Sequence, residues 1–503
     1  MYLCSDRQHK QESAKDYYKD NIDDYYYFNV PVKWAIGQTF SGTSLDAMMF
    51  IVCMLIFLKR QNEGANKTIK EVKGQIVDIC KNKSYGWNGE EYKENEYKKV
   101  SDAAIKNVLL YLCDSDNYLP IPAQGKKKAI VKAFEGLIDT QTRDSEDTDE
   151  KLIKNQILNI LSDLNILSDE DKKKYHENPF WHPQIRPFWD STSTNLNDSN
   201  LSDETLLEYK KAMILYGPPG TSKSYQARRM AENIIAKALR KENSNIKSCI
   251  GQLQDAFDKH IHPLQLHPNY TYDDFIVGKT ISNDSVQVKY GFMLNLIKGI
   301  DKNKNKDKLP HVVILDEINR VDISRVFGEL FTAMEPSYRE KGVKLSVKDK
   351  DEKDLYLKVP ENMYFIGTMN MIDFSLEQVD FALRRRFLWR LSTYDEGRLK
   401  IILSDKLSEL SDENWLPYNF AENCTNLNNL ITREPNLGKD YLIGHAFFAE
   451  IVDIYEKVKD WGKAKNILWQ ISILPTLEAY CGSMDAVTRD KFIENCKNAF
   501  MPV

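Results

Sequence analysis

The chain has 503 residues, of which 42% are hydrophobic, enough to build two or three domains with separate cores. Its net charge of -5 argues against a protein that binds nucleic acid over its whole surface, although a local basic groove is compatible with it. The longest apolar run, Ala47 to Leu58, is far shorter than the roughly 20 residues of a bilayer span, and the start is polar and tyrosine-rich, so no membrane attachment and a cytoplasmic location are expected.

Residues 1–190 read as a mainly helical domain. Apolar side chains recur at helical spacing over Ile105 to Leu112 and Lys151 to Leu167, with the polar stretch Thr140 to Glu150 between them. The segment Tyr118 to Pro122, the run Lys126-Lys127-Lys128 and the helical Ile130 to Phe134 form a distinctive patch. It reads either as a dock for a phosphate backbone or, more simply, as a solvated lysine cluster that opens a helix. Tyr25-Tyr26-Tyr27 and the group Trp181, Phe188 and Trp189 suit base stacking and internal packing equally well.

The run from Asp190 to Glu204, rich in Asp, Ser, Thr and Asn, marks a linker, placed at 191–208. After it comes the apolar strand Ile214-Leu215-Tyr216 and the loop Gly217-Pro218-Pro219-Gly220-Thr221-Ser222-Lys223-Ser224. A helix follows, with apolar Ala227, Met230, Ala231, Ile234, Ile235 and Ala238 on one face. Strand, loop and helix in this order are what a phosphate-binding loop requires. Loop amides would face the phosphates, Lys223 would bridge the outer ones, and the Ser224 hydroxyl would ligate Mg²⁺. Ser222 occupies the position usually held by the second glycine of such loops, where its side chain would weaken binding without abolishing it.

Two further apolar strands end in polar groups. His311 to Leu315 delivers Asp316, expected to hold the metal through water, and Glu317, expected to activate the attacking water. Met363 to Met369 delivers Asn370, suited to positioning that water. Val326, Phe327, Leu330, Phe331 and Met334 mark a helix between them. The fold class is therefore α/β, a parallel doubly wound sheet with ligands at its carboxyl ends. Val343 to Val347 and Leu355 to Val359, around the charged Lys348 to Asp354, predict a hairpin. The nucleotide-binding core is placed at 209–392 and a helical lid at 393–503, from which Gly444-His445 would approach the nucleotide. Eight scattered cysteines lack a paired spacing, and His260, His262 and His267 lack companion ligands, so neither disulfides nor a zinc site is expected.

Several segments together resemble the McrB family, AAA+ motors of modification-dependent restriction: Asp316-Glu317-Ile318-Asn319-Arg320, Val326 to Leu330, Gly367-Thr368-Met369-Asn370 and Ala382 to Phe387. Gln265-Leu266-His267, Tyr270 to Phe275 and Tyr441 to His445 follow the family order as well, and the likeness covers roughly residues 205 to 485. The resemblance implies a hexameric ring, nucleotide at subunit interfaces, and a separate McrC-like nuclease subunit acting on DNA. It makes Arg320 and Arg385 or Arg386 candidates for arginine fingers, although a triple arginine also suits a helix carboxyl end. It makes residues 1–190 a variable recruitment module. Relatives that prefer GTP carry Asn-Thr-Ala-Asp where this chain has Asn370-Met371-Ile372-Asp373, so ATP and GTP both remain open while Asp373 stays a candidate nucleotide contact. A ring that remodels proteins, and a nucleotide-gated binding module with little turnover, are the competing readings.

Overall fold

A computed structural model describes residues 73–77, 80, 104–114, 118–119, 121, 124–138, 149–168, 171–172, 175, 178–190, 203–282, 285–303, 308–349, 353–372, 381–408 and 419–502. The chain divides into two compact units, Met1–Trp189 with Lys400–Asp412, and Asp190–Leu399 with Glu413–Val503.

The first unit contains α1 (Ala104–Cys113), α2 (Gln124–Phe134) and α3 (Asp149–Asp163). Ile130 and Phe134 of α2 and Ile153, Ile157 and Leu161 of α3 are buried, as their helical spacing demands. Phe134 lies within 6.3 Å of Phe180 and 6.5 Å of Phe188 between ring centroids. Trp189 is buried and donates its indole N–H to the Phe180 carbonyl at 2.8 Å. Trp181 packs against Trp189 in a tilted pair, with centroids 4.8 Å apart and ring planes at 57°. These aromatics are used in packing. The lysine run is not one solvated cluster, because Lys127 is buried with its ammonium 5.8 Å from the Tyr118 ring centre and Lys126 lies over Trp181. Only Lys128 of the three is exposed. Tyr25, Tyr26 and Tyr27 lie outside the described residues.

The second unit opens with α4 (Asp203–Lys210), inside the stretch expected to be linker. Leu207 is fully buried and Asp203 pairs with Arg390 at 2.6 Å, which fixes the helix to the core. Then come β1 (Ala212–Gly217), α5 (Lys223–Glu242), α6 (Ile246–His260), β2 (Ile261–Gln265), β3 (Val277–Ser282), β4 (Ser285–Tyr290), α7 (Phe292–Asn303) and β5 (His311–Asp316). They are followed by β6 (Val343–Lys348), β7 (Asp354–Leu357), β8 (Met363–Asn370), α8 (Phe381–Arg386) and β9 (Leu388–Leu391).

Five strands form one parallel sheet in the order β2-β5-β8-β1-β9. The three strands with continuous apolar runs, β5, β8 and β1, are its centre, as burial on both faces requires. Their carboxyl ends therefore lie side by side. The hairpin β6–β7 forms as expected, and β3–β4 form a second, antiparallel hairpin. The helix expected around Val326 to Met334 is two short ones, Ile323–Phe327 and Leu330–Ala333. Gly328 interrupts them at φ 43°, where a Cβ would meet the Tyr272 ring at 2.8 Å, and the Tyr272 hydroxyl donates to Glu329 at 2.7 Å.

Buried Arg339 fastens the loop before β6: Nε donates to the Met334 carbonyl and Nη1 to those of Pro360 and Met363, each at 3.0 Å. At the opposite end of the sheet from the loop, His262 Nε2 and His311 Nδ1 hydrogen-bond at 3.1 Å. Burial lowers both rings from the ordinary histidine range, to about 4 and about 3. Among the described residues no group of three or more His, Cys, Asp or Glu could hold a metal ion. Among them, too, no helix is long and apolar enough to cross a membrane.

The carboxyl-terminal part is helical: α9 (Phe420–Arg433), α10 (His445–Val458), α11 (Trp461–Leu468), α12 (Leu474–Tyr480) and α13 (Ala486–Phe500). Phe500 is its centre, within 5.8 to 6.2 Å of Phe420, Trp469 and Phe448. A π-turn, Trp469–Ile473, joins α11 to α12. Pro475 follows it and has no N–H to continue the ordinary ladder.

Candidate nucleotide site

The loop after β1 needs its glycines for stated reasons. Gly217 has φ 150°, and a Cβ there would meet the Ser392 carbonyl oxygen at 2.0 Å. Gly220 has φ 71°, and its Cβ would meet the Phe447 ring at 2.6 Å. Ser222 also adopts a left-handed conformation, φ 62° and ψ 31°, as it caps α5. The strain expected at the second glycine position is therefore conformational, of order 1–3 kcal/mol for a residue with a Cβ.

Lys223 is buried and its ammonium donates to the Pro218 carbonyl at 2.6 Å and the Gly217 carbonyl at 3.1 Å. The loop thus holds its cation along its own rim, where phosphate oxygens can replace the carbonyls. Thr221 closes the loop through its hydroxyl to Pro218 O at 2.9 Å. Pro219 lies in the loop between these contacts. Gln226 braces the loop from α5, donating to Thr221 O at 2.9 Å and to the Ser392 hydroxyl at 2.8 Å.

Ser224 Oγ donates to Asp316 Oδ1 at 2.8 Å, which joins the ends of β1 and β5. Thr368 of β8 donates its hydroxyl to the same carboxylate oxygen and accepts the Glu317 N–H at 3.1 Å. The sequence assigns Thr368 no role beyond its place in the Gly367-Thr368-Met369-Asn370 segment, yet it lies two residues before Asn370 and so on the same face of β8. Hard oxygen donors, one hydroxyl and one carboxylate, converge beside a loop rich in backbone N–H groups. This donor set fits Mg²⁺, and the glycine cradle fits a polyphosphate.

Glu317 stands in the left-handed region, φ 56° and ψ 47°, and starts the 3₁₀ turn Ile318–Arg320. Asn319 is buried and donates to the Asn370 carbonyl at 3.2 Å, tying that turn to the end of β8. Arg320 pairs with Glu317 at 2.8 Å. The other candidate fingers stand apart: Arg385 and Arg386 both meet Glu335 Oε1 at 2.7 Å, and Arg386 also donates to Phe331 O at 2.7 Å. Arg385 is 70% exposed and Arg386 13%, so Arg386 is committed to packing and Arg385 is the more available. Asp373 lies outside the described residues.

The helical part touches the loop directly. Ala446 N–H donates to Gly220 O at 2.9 Å, and a Cβ on Gly444 would meet the Gly220 carbonyl carbon at 2.1 Å. His445 is fully buried and faces the core, accepting the Asp395 N–H on Nε2 at 2.8 Å and stacking on Tyr394. Burial, then nearby Arg398, lowers its pKa to about 4, so it is a neutral acceptor and brings no positive charge to the loop.

A central strand leading into a phosphate loop, acids on the next-but-one strand and a polar tip between them define an AAA+ domain. The family model "AAA domain (dynein-related subfamily)" matches residues 212–387. Within that class the chain is similar to McrB. The chain is 32% identical over 297 residues to the type IV methyl-directed restriction enzyme EcoKMcrB subunit of Escherichia coli K12, covering 57% of this chain and 58% of that protein. It thus spans somewhat over half the length of that curated relative. Two solved structures are also similar. A protein of Cytophaga hutchinsonii is 13% identical with a TM-score of 0.24, over 58% of this chain and 88% of that one. C. elegans PCH-2 is 15% identical with a TM-score of 0.22, over 73% and 72%. Both scores are too low to add to the assignment.

Proposed function

We propose that this chain is a ring-forming, Mg²⁺-dependent nucleoside triphosphatase that drives a separate McrC-like nuclease subunit in restriction of foreign DNA. The observation that carries the reading is the junction of Ser224, Asp316, Thr368 and Glu317 at adjacent strand ends beside the phosphate loop. The restriction role draws support from the similar Escherichia coli protein, a subunit of a type IV methyl-directed restriction enzyme.

In this mechanism Lys223 exchanges loop carbonyls for the outer phosphate oxygens of ATP or GTP. Ser224 and, through water, Asp316 would hold Mg²⁺, which would offset phosphate charge. Glu317 accepts the proton of the attacking water, and Asn370 orients that water. Arg385, exposed on α8, reaches the nucleotide of the adjoining subunit and stabilises the charge of the transition state. Residues 1–190 recruit the target, and the ring is hexameric.

Co-expression with a nuclease subunit and a DNA cleavage assay under ATP and then GTP test the proposal. Cleavage that needs one nucleotide and disappears in Lys223→Ala is expected. Nucleotide turnover with no nuclease bound and no DNA cut, but with a captured polypeptide unfolded, would overturn the restriction role in favour of protein remodelling.

A further inference from the structure

Glu317 and Arg320 are the two ends of one tight turn. The left-handed backbone at Glu317 reverses the chain directly after β5, and Arg320 N–H closes the turn on Glu317 O at 3.0 Å. That reversal returns the guanidinium over the residue that began it, with Arg320 Nε 2.8 Å from Glu317 Oε2. The turn itself is fixed. Ile318 is fully buried, Asn319 is tied to Asn370, and the Glu317 N–H is held by Thr368. The two paired side chains, by contrast, are 42% and 20% exposed, so they can part without disturbing the backbone.

A general base must offer a carboxylate oxygen to water. A guanidinium on Oε2 engages one of the two carboxylate oxygens and offsets the charge that would draw a proton. The same guanidinium, while it rests on its own Glu317, is withheld from any other subunit's nucleotide. We propose that Arg320 acts in cis as a restraint on Glu317, holding the base out of its attacking position, and that the arginine acting in trans is a different one. The inference rests on the hydrolase reading above. It makes Arg320 a positioning residue whose release from Glu317 sets the basal rate.

The test compares steady-state turnover of Arg320→Ala, Arg320→Lys, Glu317→Gln and mixtures, with melting temperature measured alongside. Arg320→Ala should raise kcat about threefold, the order that a half-exposed ion pair supports, with KM little changed. Arg320→Lys keeps a cation beside Glu317 and should stay near wild type. Adding Glu317→Gln subunits to Arg320→Ala should only dilute its activity. A lower or unchanged kcat in Arg320→Ala would overturn the restraint. Recovery of a lost rate on adding Glu317→Gln subunits, which still carry Arg320, would make Arg320 a trans finger instead. Undiminished turnover by Glu317→Gln itself would sink the assignment of Glu317 as the base, on which the restraint depends, whereas absence of turnover in the wild type would sink the hydrolase reading, a separate failure.

Discussion

Ser222 and His445 show how single residues set the behaviour of the loop and of the helices beside it. Ser222 adopts φ 62°, which costs a residue with a Cβ roughly 1–3 kcal/mol, whereas glycine forfeits about 0.5–1 kcal/mol through its freer unfolded chain. Ser222→Gly should therefore stabilise the protein by about 1 kcal/mol and tighten nucleotide binding, as read by thermal melting and titration. A loss of stability would contradict the strain. His445 titrates at about 4 in the folded protein, below the ordinary 6.5. The unfolded chain therefore binds more protons between those pH values, so stability is complete above pH 6.5 and falls as pH drops towards 4. The whole fall from this group is roughly 3 kcal/mol. His445→Gln keeps an acceptor for Asp395 N–H without titrating, and its stability should decline less over that window.

At the scale of elements, continuous apolar runs exposed the central strands, because a strand buried on both faces has no polar side to confuse the pattern. The edges were less legible. β2 contains Pro263 and alternates in burial, and β9 has four residues, none fully buried. An edge strand tolerates proline and water, and so loses the signal that marks a central one. Among candidate site residues, Lys223, Ser224, Asp316, Glu317 and Asn370 were legible because their motifs lie in short local runs. The roles of Thr368, Gln226 and Ser392 were not, since each matters through a partner far away in sequence. The same holds for Glu335, which occupies two of the three consecutive arginines. Contact between the helices and the loop gives a direct prediction. Gly444→Ala would put a Cβ 2.1 Å from the Gly220 carbonyl carbon, so loop and helix must part. Nucleotide affinity should fall at least about tenfold, with the fold intact by circular dichroism. Arg339→Met should cost at least about 3 kcal/mol, because it strips three carbonyls of their buried donor. A change below about 1 kcal/mol in denaturant melts would show that water satisfies those carbonyls.

For the whole molecule, the proposed function assigns nucleotide work to the part that follows residue 190 and target recruitment to residues 1–190. Asp190 is held by α5, its carbonyl accepting from Asn233 at 2.9 Å, and the 203–210 helix is packed on the core. A cut between 191 and 202 should therefore leave the carboxyl-terminal part able to bind nucleotide and assemble, with target recruitment lost. The central claim is that Glu317 performs the chemistry while the loop performs the binding. Its most direct test measures nucleotide affinity and steady-state hydrolysis of Glu317→Gln in the same preparation. The account predicts near wild-type affinity in the presence of Mg²⁺ with hydrolysis lowered by at least about 10². Hydrolysis within a few-fold of wild type would contradict it.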